Sequence, residues 1–182
     1  MILDTVKKDL EELIGVPAEE PAPETSAEAE SETETETPED TEQAEAAAPA
    51  KKPVELTDYK SKGFHLDASV PVDKLLEAVE LLDGQKFALE CITGVDWIAD
   101  GEMEVVYDFN HYAELCRVVL RTRVDRNTPE IPSISAIYGG ANWHERETHD
   151  FFGIVFTDHP DLTPLLLPED ADFHPLLKDF KP

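Results

Sequence analysis

The sequence predicts an α+β fold: a mostly antiparallel sheet of three or four strands, helices packed on one face, and an extended proline-rich C-terminal arm. Three observations carry this expectation. Met103, Val105, Tyr107 and Phe109 alternate with Glu104, Val106, Asp108 and Asn110, the two-residue period of a half-buried strand. Just upstream, Val72, Leu75, Leu76, Val79 and Leu82 recur at helical spacing. Prolines at 160, 164, 168, 175 and 182 exclude regular helix or sheet interior over residues 158–182.

In chain order, residues 1–16 open with an amphipathic helix. Ile2, Leu3, Val6, Leu10, Leu13 and Ile14 share a face, and Gly15 and Pro17 stop it. A short helix cannot bury such a stripe alone. It hooks onto a partner, docks back on its own domain, or frays. Residues 17–52 read as a disordered acidic linker. Residues 17–50 hold twelve Asp/Glu, no Lys or Arg, and no aromatic, Ile, Leu, Val or Met. Nothing there offsets the entropy of ordering. With residues 1–16 at −2, the −26 of the chain leaves −12 for residues 51–182. That charge speaks against a nucleic-acid binder, which needs a positive footprint.

The folded domain spans 53–157. Ser69 reads as the cap of a helix, with Pro71 in its first turn and Asp83-Gly84 at its end. Phe87 to Thr93 follows as a strand, and Gly94 to Trp97 leads into a turn near Asp100-Gly101. A third strand runs from about Leu115 to Val124. It points Arg117, Arg121 and Arg123 to one face, either a solvated surface or a dock for an acidic partner. Asn127 to Pro132 is a loop, and Ser133 to Tyr138 a short helix or turn closed by Gly139-Gly140. Asn142 can cap a helix over Trp143 to Phe152. Gly153 ends it, and Ile154 to Phe156 is a short strand.

That helix carries the densest chemistry in the chain: Trp143-His144-Glu145-Arg146-Glu147-Thr148-His149-Asp150-Phe151-Phe152-Gly153. These charges must be satisfied within the fold or on a partner. A zinc-protease reading fails on spacing. His144 and His149 are five apart, about 140° around a helix, where two ligands four apart would sit about 40° apart. Glu145 and His149 have the four-residue spacing, as do Arg146 and Asp150, which are placed for a helix ion pair. Glu145 and Glu147, two apart, diverge. No serine elbow, phosphate loop or dinucleotide fingerprint is present. Cys91 and Cys116 are too few for a zinc ribbon or iron–sulfur cluster and read as reduced thiols. No apolar run approaches the roughly 20 residues of a membrane span, and the start shows no signal-peptide pattern.

Ala141-Asn142-Trp143, Glu145-Arg146-Glu147, Asp150-Phe151-Phe152-Gly153-Ile154, Phe156, His159-Pro160-Asp161-Leu162 and His174-Pro175-Leu176 with Lys178-Asp179 resemble the 30 kDa (C-type) subunit family of respiratory complex I, which includes counterparts in F420H2 dehydrogenases. The resemblance covers about residues 60–182. Asp158 stands where the family has glycine, Thr163-Pro164-Leu165-Leu166 where it has Arg-Arg-Ile-Leu, and Leu177 where it has arginine. The resemblance implies a member of the peripheral arm with no cofactor of its own, on the cytoplasmic face of the cell membrane. It implies docking on a 49 kDa-type (D-type) protein and a cluster-bearing (B-type) protein, in a hetero-oligomer. Those partners would carry the iron–sulfur clusters and the quinone or phenazine. The chain alone would have no catalytic centre, and its electron donor stays open among NADH, F420H2, ferredoxin and hydrogen. The implied interface comprises Trp143, Glu145, Arg146, Glu147, Asp150, His159, Pro160, His174, Pro175, Lys178 and Asp179. Two rival readings stand beside it: a small metal-dependent hydrolase using Glu145, Glu147 and nearby histidines, and a free-standing acidic adaptor.

Overall fold

A computed structural model describes residues 2–15 and 52–181. The linker expected over 17–52 lies, Lys52 excepted, outside the described residues. The elements are α1 (Ile2–Ile14), β1 (Val54–Leu56), α2 (Tyr59–Lys62), β2 (Leu66–Ser69), a 3-10 turn (Val72–Lys74), α3 (Leu75–Gly84), β3 (Ala88–Trp97), β4 (Glu102–His111), β5 (Cys116–Asp125), β6 (Glu130–Pro132), α4 (Ala141–Phe152) and β7 (Val155–Thr157).

The main sheet has five strands in the order β1-β2-β5-β4-β3, where the sequence predicts three or four. The three long strands form an antiparallel meander, with Tyr107 opposite both Ile92 and Leu120. β3 runs on through Gly94 to Trp97, the stretch read as a lead into a turn. The unforeseen strands are β1 and β2. β2 pairs parallel with β5, Leu66 opposite Val118. Ser69, read as a helix cap, instead ends this strand, and its N–H donates to Pro53 O at 2.7 Å. Pro71 then precedes the 3-10 turn, and α3 begins only at Leu75. β6 and β7 make a separate parallel pair, so part of the segment read as a loop is strand.

One face of the sheet carries the core. Leu66, Val105, Tyr107, Phe109, Val118 and Leu120 are fully buried there, against Leu75, Ala78, Val79 and Leu82 of α3. Val6 and Leu10 of α1 are also at 0% exposure in that cluster, so the N-terminal helix docks on its own domain. Each such leucine or valine contributes about 2 kcal/mol of burial free energy. α4 lies on the same face, with the Phe152 ring filling the space a side chain at Gly94 would take.

The opposite face holds the arginine row of β5, and each arginine already has carboxylate partners on neighbouring strands. Arg117 pairs with Asp108. Arg121 donates to Asp67 at 2.8 Å, and Arg123 to Glu102 at 2.9 Å and Glu104 at 3.3 Å, with its guanidinium over the Trp97 ring. This face is therefore not a bare positive surface awaiting an acidic partner.

Candidate docking interface

α4 sorts the charged run by its own geometry. Ala141, Glu145 and Thr148 fall on the inward side at i, i+4 and i+7 and are buried, while Trp143 and Glu147 face out. The residue before the helix is Gly140, without a side-chain cap, so Asn142 is not the cap the sequence suggests. At the other end Gly153 adopts φ +74° and its N–H closes on His149 O at 2.8 Å, as its position predicts.

Most of the ionic groups are spent inside the chain, on fastening residues 158–181 along α4. Asp150, 3% exposed, accepts the backbone N–H groups of Leu165, Leu166 and Leu167 at 2.9, 2.6 and 3.1 Å through one oxygen. Burial raises its carboxyl, but the three amides outweigh burial and hold it below the usual range. Arg146, expected to pair with Asp150, instead donates to Thr163 O at 2.9 Å and Pro164 O at 3.1 Å and lies over the Trp143 ring. The ion pair gives way because both groups find backbone partners on the segment crossing the helix. Those peptide groups would otherwise lie against protein without partners.

The histidines do similar work. His159 accepts the Asp161 N–H at Nδ1 (3.1 Å) and reaches Asn142 O with Nε2 (3.3 Å). His174 Nδ1 reaches Asp150 O at 2.8 Å, and its ring sits against Gly153. His149 turns to Ile154 O at 2.9 Å rather than to Glu145. His144 and His149 do not converge, and among the described residues no group of three or more His, Cys, Asp or Glu is placed to hold a metal ion. Glu145 is fully buried and Glu147 exposed, so they share no pocket. The hydrolase reading has no geometry behind it.

Pro160 is exposed and Pro175 half-buried; Leu176 N–H donates to Phe151 O at 3.1 Å. Lys178 and Asp179 are exposed, and they end in a latch the sequence did not reveal. Asp96, its side chain at 0% exposure, receives both Arg126 Nε and Nη2 at 2.8 and 3.0 Å, plus the Lys178 N–H at 2.8 Å. Arg126 also donates to Asp179 at 2.6 Å. The Arg126 bonds hold the Asp96 carboxyl below its ordinary value. The one available signal was an acid at an inward position of β3, in register with buried Met103. Asp158, where the resembling family has glycine, adopts φ +62°, the left-handed conformation glycine favours.

Gly153→Ala tests the crossing of helix and segment. A methyl there would stand 2.7 Å from the His174 ring at φ +74°. Thermal unfolding should show a loss of about 2 kcal/mol, from left-handed strain plus displacement of His174.

What remains outward is apolar. Trp143, Leu166, Phe173 and Leu176 are 59, 59, 41 and 51% exposed. A groove of about 300 Å³ at Leu176 is lined also by Ile92, Gly94, Glu147, Phe151 and Phe152. A helix with a strapped segment that shows a tryptophan, a phenylalanine and leucines to solvent has the chemistry of a protein contact.

Comparison with known proteins gives concordant matches. Residues 68–182 match the family described as "Respiratory-chain NADH dehydrogenase, 30 Kd subunit". The C subunit of NADH-quinone oxidoreductase from Roseiflexus sp. (strain RS-1) is 46% identical over 92 residues, 50% of this chain and 53% of that protein. The chain thus spans about half the length of the Roseiflexus relatives it matches. The C subunit of F(420)H(2) dehydrogenase from Methanosarcina mazei is 40% identical over 121 residues, 65% of this chain and 77% of that protein. A chain in the structure of the membrane-bound sulfane sulfur reductase, an archaeal respiratory membrane complex, superposes with a TM-score of 0.59 at 30% identity, covering 64% of this chain and 71% of that one.

Proposed function

The chain belongs to the 30 Kd subunit family of respiratory-chain NADH dehydrogenase, and we propose that it serves as a cofactor-free peripheral-arm component of a membrane-associated, complex I-like oxidoreductase. It docks through α4 and residues 158–181 on a 49 kDa-type protein and stands beside a cluster-bearing one. Electrons pass through iron–sulfur clusters and a quinone or phenazine held by those partners, on the cytoplasmic face. No helix among the described residues is long and apolar enough to cross a membrane, which suits a protein that attaches through its neighbours.

The observation that carries this reading is the division of labour in the charged run. Asp150, Arg146 and the two His-Pro histidines spend their bonds within the chain and thereby hold an apolar rim in place. The free-standing adaptor reading loses to it, because the family match covers the domain and not the acidic linker.

Trp143→Ala tests it. The side chain is 59% exposed, so thermal stability should change by less than about 0.5 kcal/mol. Co-expression with the 49 kDa-type and cluster-bearing partners, followed by affinity isolation on one of them, should recover at least tenfold less of the variant, the loss typical of a tryptophan anchor worth about 2 kcal/mol. Recovery equal to wild type would remove the tryptophan rim from the interface.

A further inference from the structure

The docking role does not use Glu145. Its side chain is at 0% exposure between α4 and the turn after β6. Oε1 accepts the Ile134 N–H at 2.7 Å, and Oε2 lies 2.6 Å from Ser133 Oγ. Ser133 Oγ accepts the Ser135 N–H at 3.2 Å and lies 2.7 Å from Ser135 Oγ. Ser133 is 8% exposed and Ser135 half-exposed, so three oxygens in a row lead from the buried carboxyl outward.

This row is satisfied in two protonation states without moving a heavy atom. With Glu145 ionised, the Ser133 hydroxyl donates to Oε2. With Glu145 neutral, its O–H donates to Ser133 Oγ, and Ser133 donates to Ser135. Reversing the direction of the bonds passes one proton: Glu145 gives a proton to Ser133, Ser133 gives its own to Ser135, and Ser135 gives one to water.

His159 is the second half of the device. Nδ1 accepts the Asp161 N–H, so it carries no proton, and Nε2–H faces Asn142 O. The ring in this arrangement is therefore neutral. Nε2 stands 3.7 Å from Glu145 Oε2, with both side chains fully buried. A charge appearing on Glu145 changes the field at this ring, whose other nitrogen holds the Asp161 N–H. Tyr107 of β4 also faces this point, and its burial and proximity to Glu145 hold its hydroxyl protonated. Arg146 and Asp150, on α4 itself, aim at residues 163–167 instead.

We propose that Glu145 is a buried proton-binding site, exchanging with solvent through Ser133 and Ser135, and that His159 transmits its charge state to the start of the C-terminal segment. Burial is the dominant influence on the Glu145 carboxyl and pushes it up to about 7, against the opposing bonds from Ser133 and Ile134. A folded value above the unfolded one means that the proton's contribution to stability is full below about 4.5 and lost as pH rises through about 7. The fold is thus most stable with the proton on and loses that contribution with it off.

Carboxyl and imidazole NMR of the full chain between pH 5 and 9 tests this, on wild type and on Glu145→Gln. Gln keeps the shape and stays neutral. In wild type, the Glu145 carboxyl should titrate near pH 7, with the His159 ring and the Asp161 amide shifting at the same midpoint. In the variant the step in His159 and Asp161 should vanish. A Glu145 midpoint below 5, or an unchanged step in the variant, overturns the proposal. Should the variant fail to fold, the wild-type titration still decides: one shared midpoint supports the coupling, and separate midpoints refute it.

Discussion

Arg126→Ala is expected to destabilise the chain by about 3 kcal/mol, measured by denaturant unfolding at pH 7. The guanidinium grips Asp96 with two bonds, and the Asp96 side chain is at 0% exposure. Removing one partner of a buried pair leaves the other charge without compensation, which costs about 3–5 kcal/mol. Arg126 itself is 19% exposed, and water entering the vacated space holds the loss at the lower end of that range. The Lys178 N–H still donates to Asp96 but carries no full charge. The same substitution frees Asp179, so proteolysis should cut first beyond Leu177. The pH dependence has a definite sign. Asp96 is held below its ordinary value, so its contribution is present above about 3.8 and disappears as pH falls through the folded value. The variant should therefore lose its deficit relative to wild type in acid. A deficit that persists in acid after carboxyl NMR shows Asp96 protonated would mean that packing, not charge, makes the latch.

Asp150→Ala should cost about as much, about 3 kcal/mol, by releasing three charge-assisted bonds at once. One carboxylate oxygen gathers the N–H groups of Leu165, Leu166 and Leu167, a stretch that makes no helix or strand. Alanine leaves those amides to water and unseats the segment from α4. The measured signs are a lower unfolding midpoint and loss of partner binding together, in contrast to Trp143→Ala, which loses binding alone. Asp150→Asn keeps an acceptor oxygen and should fall between the two. Wild-type stability for Asn, with three unchanged amide exchange rates, would mean that the negative charge contributes nothing.

How much of this was legible in the sequence follows from how local each signal is. The alternation in β4 and β5 and the glycine after α4 are short-range patterns, and each appears where its period or conformation requires. β2 was hidden because four residues give too short a period, and its parallel partner lies some fifty residues away. Ser69-Val70-Pro71 then supplied a plausible cap in the wrong place. Asp96 and Arg126 were missed for the same reason: a pairing across 30 residues leaves no spacing to read. The helix-wheel rule correctly separated Glu145 from Glu147 and His144 from His149. It failed for Arg146 and Asp150, because the wheel treats the helix as alone while a crossing segment offers both groups better partners. The carboxylate partners of the β5 arginines were hidden for a similar reason, since they come from other strands.

The proposed docking face, covered by a partner protein, is α4 with residues 158–181. Hydrogen–deuterium exchange of the free chain against the chain in its assembled complex measures this directly. Exchange should be slower in the complex over 141–152 and 158–181, with the open sheet face around Arg117, Arg121 and Arg123 unchanged. Protection confined to that sheet face, with α4 and the segment exchanging as in the free chain, would contradict it.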